Sequence, residues 1–393
     1  MHLNRIVGAA TLSAVLVLAA CGSPDQPQDA EATPHGYVAG AEEKEEMQST
    51  VAYAARGSSR LGLLDLASAD EKELELSIAV QRLTEDGRFV YADDGRRRLE
   101  IIDAGVWTVD HTDHVHYYRK PARSVGTLTF DADIRTITGF RGYTAIGTAD
   151  GRIRVLDRDE LEAGKVVEAG RIDSGSATPL AVPYADELIV AVGNGDRGRP
   201  ADRLVSMAAD GRRTGMEVPC RAPRGWATLR GGAVVACEDR LVRVQRESGK
   251  LAAKALPSPH RPIPTGAFGY RPRSNEAALG GPGGIWSVNA AKDTLRHLPA
   301  AGRDVIAAAS PADGSMVLAL ASTGALLSLD LATGKVLAQK SVPATGLTLD
   351  MNRAYLPDPK ARVIHEIDYG DGLRTARALP VSERPDLMVE VGR

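Results

Sequence analysis

From residue 51 almost to its end, the chain repeats one arrangement of apolar and polar positions. Each unit has a short apolar run, a tight turn of Gly, Asp or Asn, and then an alternating strand. Val51-Ala52-Tyr53-Ala54 passes Gly57-Ser58-Ser59 to Leu61-Gly62-Leu63, and Phe89-Val90-Tyr91-Ala92 passes Asp94-Gly95 to Leu99-Glu100-Ile101. Tyr143-Thr144-Ala145-Ile146 reaches Ile153-Arg154-Val155 through Asp150-Gly151, and Val317-Leu318-Ala319-Leu320 reaches Leu326-Leu327-Ser328-Leu329 through Thr323-Gly324. Related units begin at Leu188, Ala233, Ala277 and Ala354. Short apolar runs bounded by turn residues read as buried strands, and period-two alternation reads as strands with one wet face. No amphipathic helix of ordinary length is visible, so the pattern predicts an all-β chain.

The period decides the architecture. Eight units are visible, spaced by about 43 residues, the length of one four-stranded propeller blade. We therefore expect a β-propeller of eight blades, or seven if one unit is an elaboration. The first unit lacks an innermost strand, whereas Asp386-Leu387-Met388-Val389-Glu390-Val391 is a strand without a blade. Pairing the C-terminal strand with the first blade would close the ring and protect its edges. The interval from Tyr91 to Ala145 is the longest, as expected where a functional insertion sits on a regular scaffold.

That insertion holds the chain's densest chemistry. Three of eight histidines lie in Asp110-His111-Thr112-Asp113-His114-Val115-His116. Zinc takes neutral imidazole nitrogens and carboxylate oxygens, usually three or four together. In a strand His114 and His116 share a face, while His111 and Asp113 can fold back at a turn. These four residues are the candidate metal ligands. His260, His297 and His365 are isolated in sequence and read as ordinary surface or core residues.

The N-terminus supplies an address. Arg5 precedes an apolar run from Ile6 to Ala20 that is too short to span a membrane and reads as a secretory signal. It ends Leu18-Ala19-Ala20-Cys21-Gly22, which resembles the lipobox of bacterial lipoproteins. In that family the cysteine is lipidated and becomes the new N-terminus. The expectation is a signal peptide over 1–20, lipidation at Cys21 and anchorage to the outer face of the cell membrane. Residues 21–50 alternate proline with acidic residues and read as a flexible tether, leaving 51–393 for the propeller. His35 on this arm is a second, mobile candidate for metal capture. A formal charge of −3 gives no reason to expect a nucleic-acid partner. Two of three cysteines remain after Cys21, and an exported chain most economically joins Cys220 to Cys237, the alternative being two buried free thiols.

Taken together, these segments resemble a known family. The signal, His35-Gly36-Tyr37-Val38-Ala39-Gly40-Ala41-Glu42-Glu43, Asp113-His114-Val115-His116-Tyr117-Tyr118, the cysteine pair and the ending Arg384-Pro385-Asp386 to Gly392-Arg393 resemble the AztD-type zinc metallochaperones. That family consists of extracytoplasmic β-propellers that bind zinc and deliver it to the solute-binding protein of a zinc ABC transporter. The resemblance implies Zn(II) as the ion, His114 and His116 as its ligands and such a binding protein as partner. It departs from the family where Arg224-Gly225-Trp226 stands in place of a His-Gly pair, and in lacking a dense histidine tract on the tether. Two other classes remain to be weighed: a lipid-anchored interaction scaffold without metal function, and an enzyme. No nucleophile motif or Ser-His-Asp set is legible, so a non-enzymatic role is expected.

Overall fold

The computed structural model describes residues 38–111, 114–260 and 262–393. Among these, β-strands dominate; helix is confined to the five-residue turn Arg158–Glu162 and a 3-10 turn at Ala300–Gly302. The short helix is capped by Asp157, whose carboxylate accepts from the backbone N–H groups of Asp159 and Glu160 at 3.0 and 3.1 Å, satisfying two donors that the helix start leaves open.

Each of the eight sequence units contributes an antiparallel hairpin. Thr50–Ala54 pairs with Arg60–Asp65, Phe89–Asp93 with Arg98–Asp103, and so on to Arg353–Asp358 with Val363–Asp368. Six sheets are four-stranded, and one eight-stranded sheet joins two such sets through a short parallel pairing of Gly269–Tyr270 with Val305–Ser310. The burial pattern explains the choice of residues. Central strands such as Thr50–Ala54 and Gly232–Ala236 are covered on both faces and are uniformly small or apolar. Outer strands such as Arg213–Pro219 alternate exposed and half-buried positions, as a sheet margin with one wet face requires.

Aspartates fix the turns where strands end. Asp65 accepts from Ala67 and Ser68, Asp358 from Lys360 and Ala361, and Asp330 from Thr333. A short carboxylate bonding backbone two or three residues ahead mimics a turn and sets its direction. The same device recurs in different units because each must reverse the chain over a similar span.

The core lies between successive sheets rather than at one centre. Ala52, Leu61 and Leu63 of the first sheet pack with Val90, Ala92 and Ile102 of the second. Phe89, Tyr91 and Ile101 on the second pack with Ile137, Ile146 and Leu156 on the third. The succession continues along the chain, and Val51, Tyr53 and Leu64 meet Tyr355, Ile364 and Leu379 of the last sheet. The C-terminal strand Leu387–Val391 pairs antiparallel with Thr50–Ala54, from Thr50↔Val391 to Ala54↔Leu387. Both ends of the repeating region therefore share one sheet.

Cys220 and Cys237 form a disulfide, with Cα atoms 5.2 Å apart. One cysteine follows the outer strand Arg213–Pro219 and the other follows Gly232–Ala236, so the bridge fastens two neighbouring sheets. Both cysteines are buried, and the reading as two free thiols is set aside. The tether expectation needs a correction at its C-terminal end. Glu42–Lys44 forms a strand paired with Val115–Arg119, and Ser49 and Thr50 are buried. Backbone pairing does not require apolar side chains, so composition alone concealed it. Cys21 and His35 lie outside the described residues.

Candidate metal centre

The histidine segment belongs to an excursion between the third and fourth strands of the second sheet. Val106–Asp110 and Val115–Arg119 form an antiparallel hairpin, with Trp107 opposite Tyr118 and Val109 opposite His116. Glu42–Lys44 adds to the far edge of Val115–Arg119, giving a separate three-stranded sheet. The excursion leaves the main sheet at Gly105, where φ is +74° and a Cβ would lie 2.1 Å from the Lys120 carbonyl oxygen. Glycine is needed there for both its backbone conformation and its lack of a side chain. Lys120 returns the chain by donating its N–H to the Gly105 carbonyl at 2.7 Å.

A stack of rings fastens the hairpin to the sheet below. The Trp107 and Tyr118 rings stack at 5.4 Å, and the Arg88 guanidinium lies 3.9 Å over the Trp107 ring. Arg88 bonds Asp103 at 3.0 Å, and Lys120 reaches the same carboxylate at 2.9 Å. Burial pushes the Asp103 carboxyl up, but the two cations outweigh it and hold it below the usual carboxylate range. Thr108 donates to the Gly392 carbonyl at 2.8 Å, so the C-terminus braces the hairpin from another side.

At the hairpin tip the three histidines converge. One ring nitrogen from each of His111, His114 and His116 lies within 4.8 Å of the others. The His111 backbone N–H donates to the His114 carbonyl at 3.0 Å, which holds these two residues and their rings close together. The His111 and His114 rings stack at 4.8 Å, while His116 stands nearly perpendicular to both. His116 is on the strand, and His114 immediately precedes it. The group is half-buried to exposed, so an ion would be reachable from solvent. Asp113 lies outside the described residues.

One partner was not legible beforehand. Glu43 Oε1 lies 2.6 Å from His116 Nδ1. An ionised carboxylate can only accept, so in this contact Nδ1 is the donor, and Nε2 is the nitrogen left facing away for a metal. This is the carboxylate–histidine pairing that commonly orients a metal-ligating imidazole. The donor set fits zinc: borderline imidazole nitrogens close together in the chain, one of them oriented by a carboxylate. Beneath the site, burial raises the Tyr118 phenol above its ordinary range, with the Glu43 charge adding to the effect.

The other histidines lie elsewhere. His260 and His297 stack on each other at 4.2 Å beside Trp286, a pairing that their sequence separation hides. Burial, with His260 next to it, holds His297 below the usual imidazole range. His365 sits 3.7 Å from Asp358. Among the described residues, His111, His114 and His116 are the group of three or more histidine, cysteine or carboxylate side chains that converge as metal ligands do. Arg224, standing where the family pattern has histidine, donates to the Ile263 carbonyl at 3.2 Å and lies 3.6 Å from Glu238. It ties loops together and has no ligand atom to offer.

No family model matches the sequence, and no curated protein matches it. Solved structures do match in fold. AztD from Citrobacter koseri superposes with a TM-score of 0.73, at 17% identity, over 88% of this chain and 98% of that one. Its apo form gives 0.75 over the same coverage. The chain has the fold of AztD. The likeness read from sequence segments is therefore matched over nearly the whole length of AztD, in an all-β, propeller-like architecture. The dihydro-heme d1 dehydrogenase NirN is also similar, with a TM-score of 0.57 at 14% identity over 87% of this chain and 75% of that one. NirN is a dehydrogenase, so the fold by itself does not separate metal carriage from catalysis. Among the described residues no helix is long and apolar enough to cross a membrane.

Proposed function

We propose that this chain is a lipid-anchored, extracytoplasmic zinc carrier. It holds Zn(II) at His111, His114 and His116 and passes it to the solute-binding protein of a zinc ABC transporter. The observation that carries this reading is the convergence of three imidazoles at a solvent-reachable hairpin tip, with Glu43 orienting His116. The AztD-like fold supports it. The zinc is cargo, and the chemistry is ligand exchange without bond cleavage: an acceptor replaces the imidazoles one at a time. A rigid scaffold carrying an exposed tip suits that exchange, and anchorage through Cys21 would raise the local concentration beside a membrane-bound acceptor.

The scaffold in this reading is an eight-bladed propeller closed by the C-terminal strand. Eight sequence units, apolar clusters between successive sheets and the Leu387–Val391 pairing with Thr50–Ala54 support it. Competition titration with a zinc-chelating dye at neutral pH tests the function. One tight site per chain is the expected result, followed by transfer to a zinc-binding protein of a transporter. Absence of binding above background would leave an interaction scaffold as the better account.

A further inference from the structure

The strand Glu42–Lys44 does more than lengthen a hairpin. It forms three residue pairs, Glu42↔Arg119, Glu43↔Tyr118 and Lys44↔Tyr117, and it is the outer strand of its small sheet. Glu42 and Glu43 are exposed, and Lys44 pairs with Glu42 at 2.6 Å. Such an edge is held by a few backbone bonds and little buried area, so it detaches more readily than the buried inner strands of the main sheets. Yet it delivers a buttress of the metal site. Glu43 stands opposite Tyr118, two residues from His116 on the same face, and its side chain crosses that diagonal to His116 Nδ1. Diagonal neighbours in a sheet are within reach of long side chains.

We propose that Glu42–Lys44 is a detachable part of the metal site, which sets the zinc affinity by docking and undocking. Docked, Glu43 fixes the ring orientation of His116 and makes Nε2 a better donor. Undocked, His116 turns freely, its ligand strength falls, and the ion is released faster. Glu43 is thus a positioning residue that acts through His116, and the strand Glu42–Lys44 controls retention and release. This inference rests on the zinc-carrier reading.

The test uses the full chain, zinc alone, and a chelating dye that reports both affinity and the rate of loss. Glu43→Ala should weaken affinity roughly 10–100-fold, the usual effect of losing an outer partner of a metal ligand, and should speed release. Lys44→Pro removes a backbone donor and bends the strand while leaving Glu43 in the chain, and should cause a similar loss. In a His116→Ala background, Glu43→Ala should change nothing further, which a merely structural role for Glu43 would not produce. Wild-type affinity and release rate in either single variant would overturn the inference while leaving the carrier reading intact. A wild-type chain that binds no zinc would overturn both.

Discussion

Tyr118 lies directly opposite Trp107 in the hairpin, and their rings stack at 5.4 Å with 24° between their planes. Both side chains are buried, and His116 sits one step farther along the same face, its ring 6.2 Å from Tyr118 and nearly parallel to it. The column of His116, Tyr118, Trp107 and Arg88 runs from the exposed metal site to the buried Arg88–Asp103 pair. The histidines are therefore built on a packed support, although they sit on an inserted loop.

Removing the middle of that column should loosen the site. Trp107→Ala leaves a cavity and strips the cover from Arg88, at a cost of about 3 kcal/mol in unfolding free energy, the lower end for a buried tryptophan. Zinc affinity should fall as well, because the hairpin loses its registration on the sheet. Trp107→Phe keeps a ring against Tyr118 and should cost less than half as much. Urea unfolding and dye competition check both; a loss below about 1 kcal/mol in Trp107→Ala would show that the stack does not support the hairpin.

The ligands themselves should be separable from the fold. His114→Ala with His116→Ala removes two donors that are exposed and half-buried and lie outside the apolar core, so zinc binding should vanish while the circular dichroism spectrum and thermal midpoint stay near those of the wild type. Protons compete with metal for imidazole nitrogen. Zinc affinity should accordingly fall on acidification below ~6.5, where free imidazole protonates. Undiminished affinity in the double variant, or constant affinity down to about pH 5, would count against these ligands.

The repeat, the all-β class and the convergence of the histidines were legible because each is local. Phe89–Asp93 and Arg98–Asp103 announce themselves by apolar runs and an intervening Asp-Gly turn, and His111, His114 and His116 are close in sequence. The missed features all depend on distant partners. Glu42-Glu43-Lys44 has a tether's composition, and only pairing with Val115–Arg119 makes it a strand. The His260–His297 stack arises because His297 lies opposite Trp286, whose Nε1 also bonds the His260 carbonyl, which no spacing rule encodes. The Cys220–Cys237 pairing followed from counting cysteines in an exported chain, and the structure adds that it joins two adjacent sheets.

That position makes the disulfide a test of scaffold against site. Replacing both cysteines by alanine frees a loop of 17 residues' separation in the unfolded chain and should cost ~3 kcal/mol on the chain-entropy account. The bridge joins the fourth and fifth sheets, whereas the histidine hairpin springs from the second. Zinc affinity under native conditions should therefore be unchanged. A parallel loss of affinity would mean that the metal site depends on the distant sheets.

Glu390 provides a pH test of the sheet that joins the two ends of the chain. It lies opposite Val51 and is almost fully buried, and among the described residues its Oε1 has no hydrogen-bond partner. Thr348 makes a long contact of 3.4 Å with Oε2. Burial pushes the carboxyl up to about 7; Arg393 draws it down, while Asp350 and Glu85 push it further up. The native state therefore holds a proton that the unfolded state, with the ordinary value of 4.5, has released. Between these values the native chain binds more protons than the unfolded one, so this group's contribution to stability declines as pH rises and levels off above about 7. Glu390→Gln keeps the shape and removes the titration. Its stability should match the wild type near about pH 4.5 and exceed it near pH 8 by up to about 3 kcal/mol. Unfolding curves at several pH values measure the difference directly; a constant offset between the two proteins across that range would show that Glu390 does not hold its proton in the folded chain.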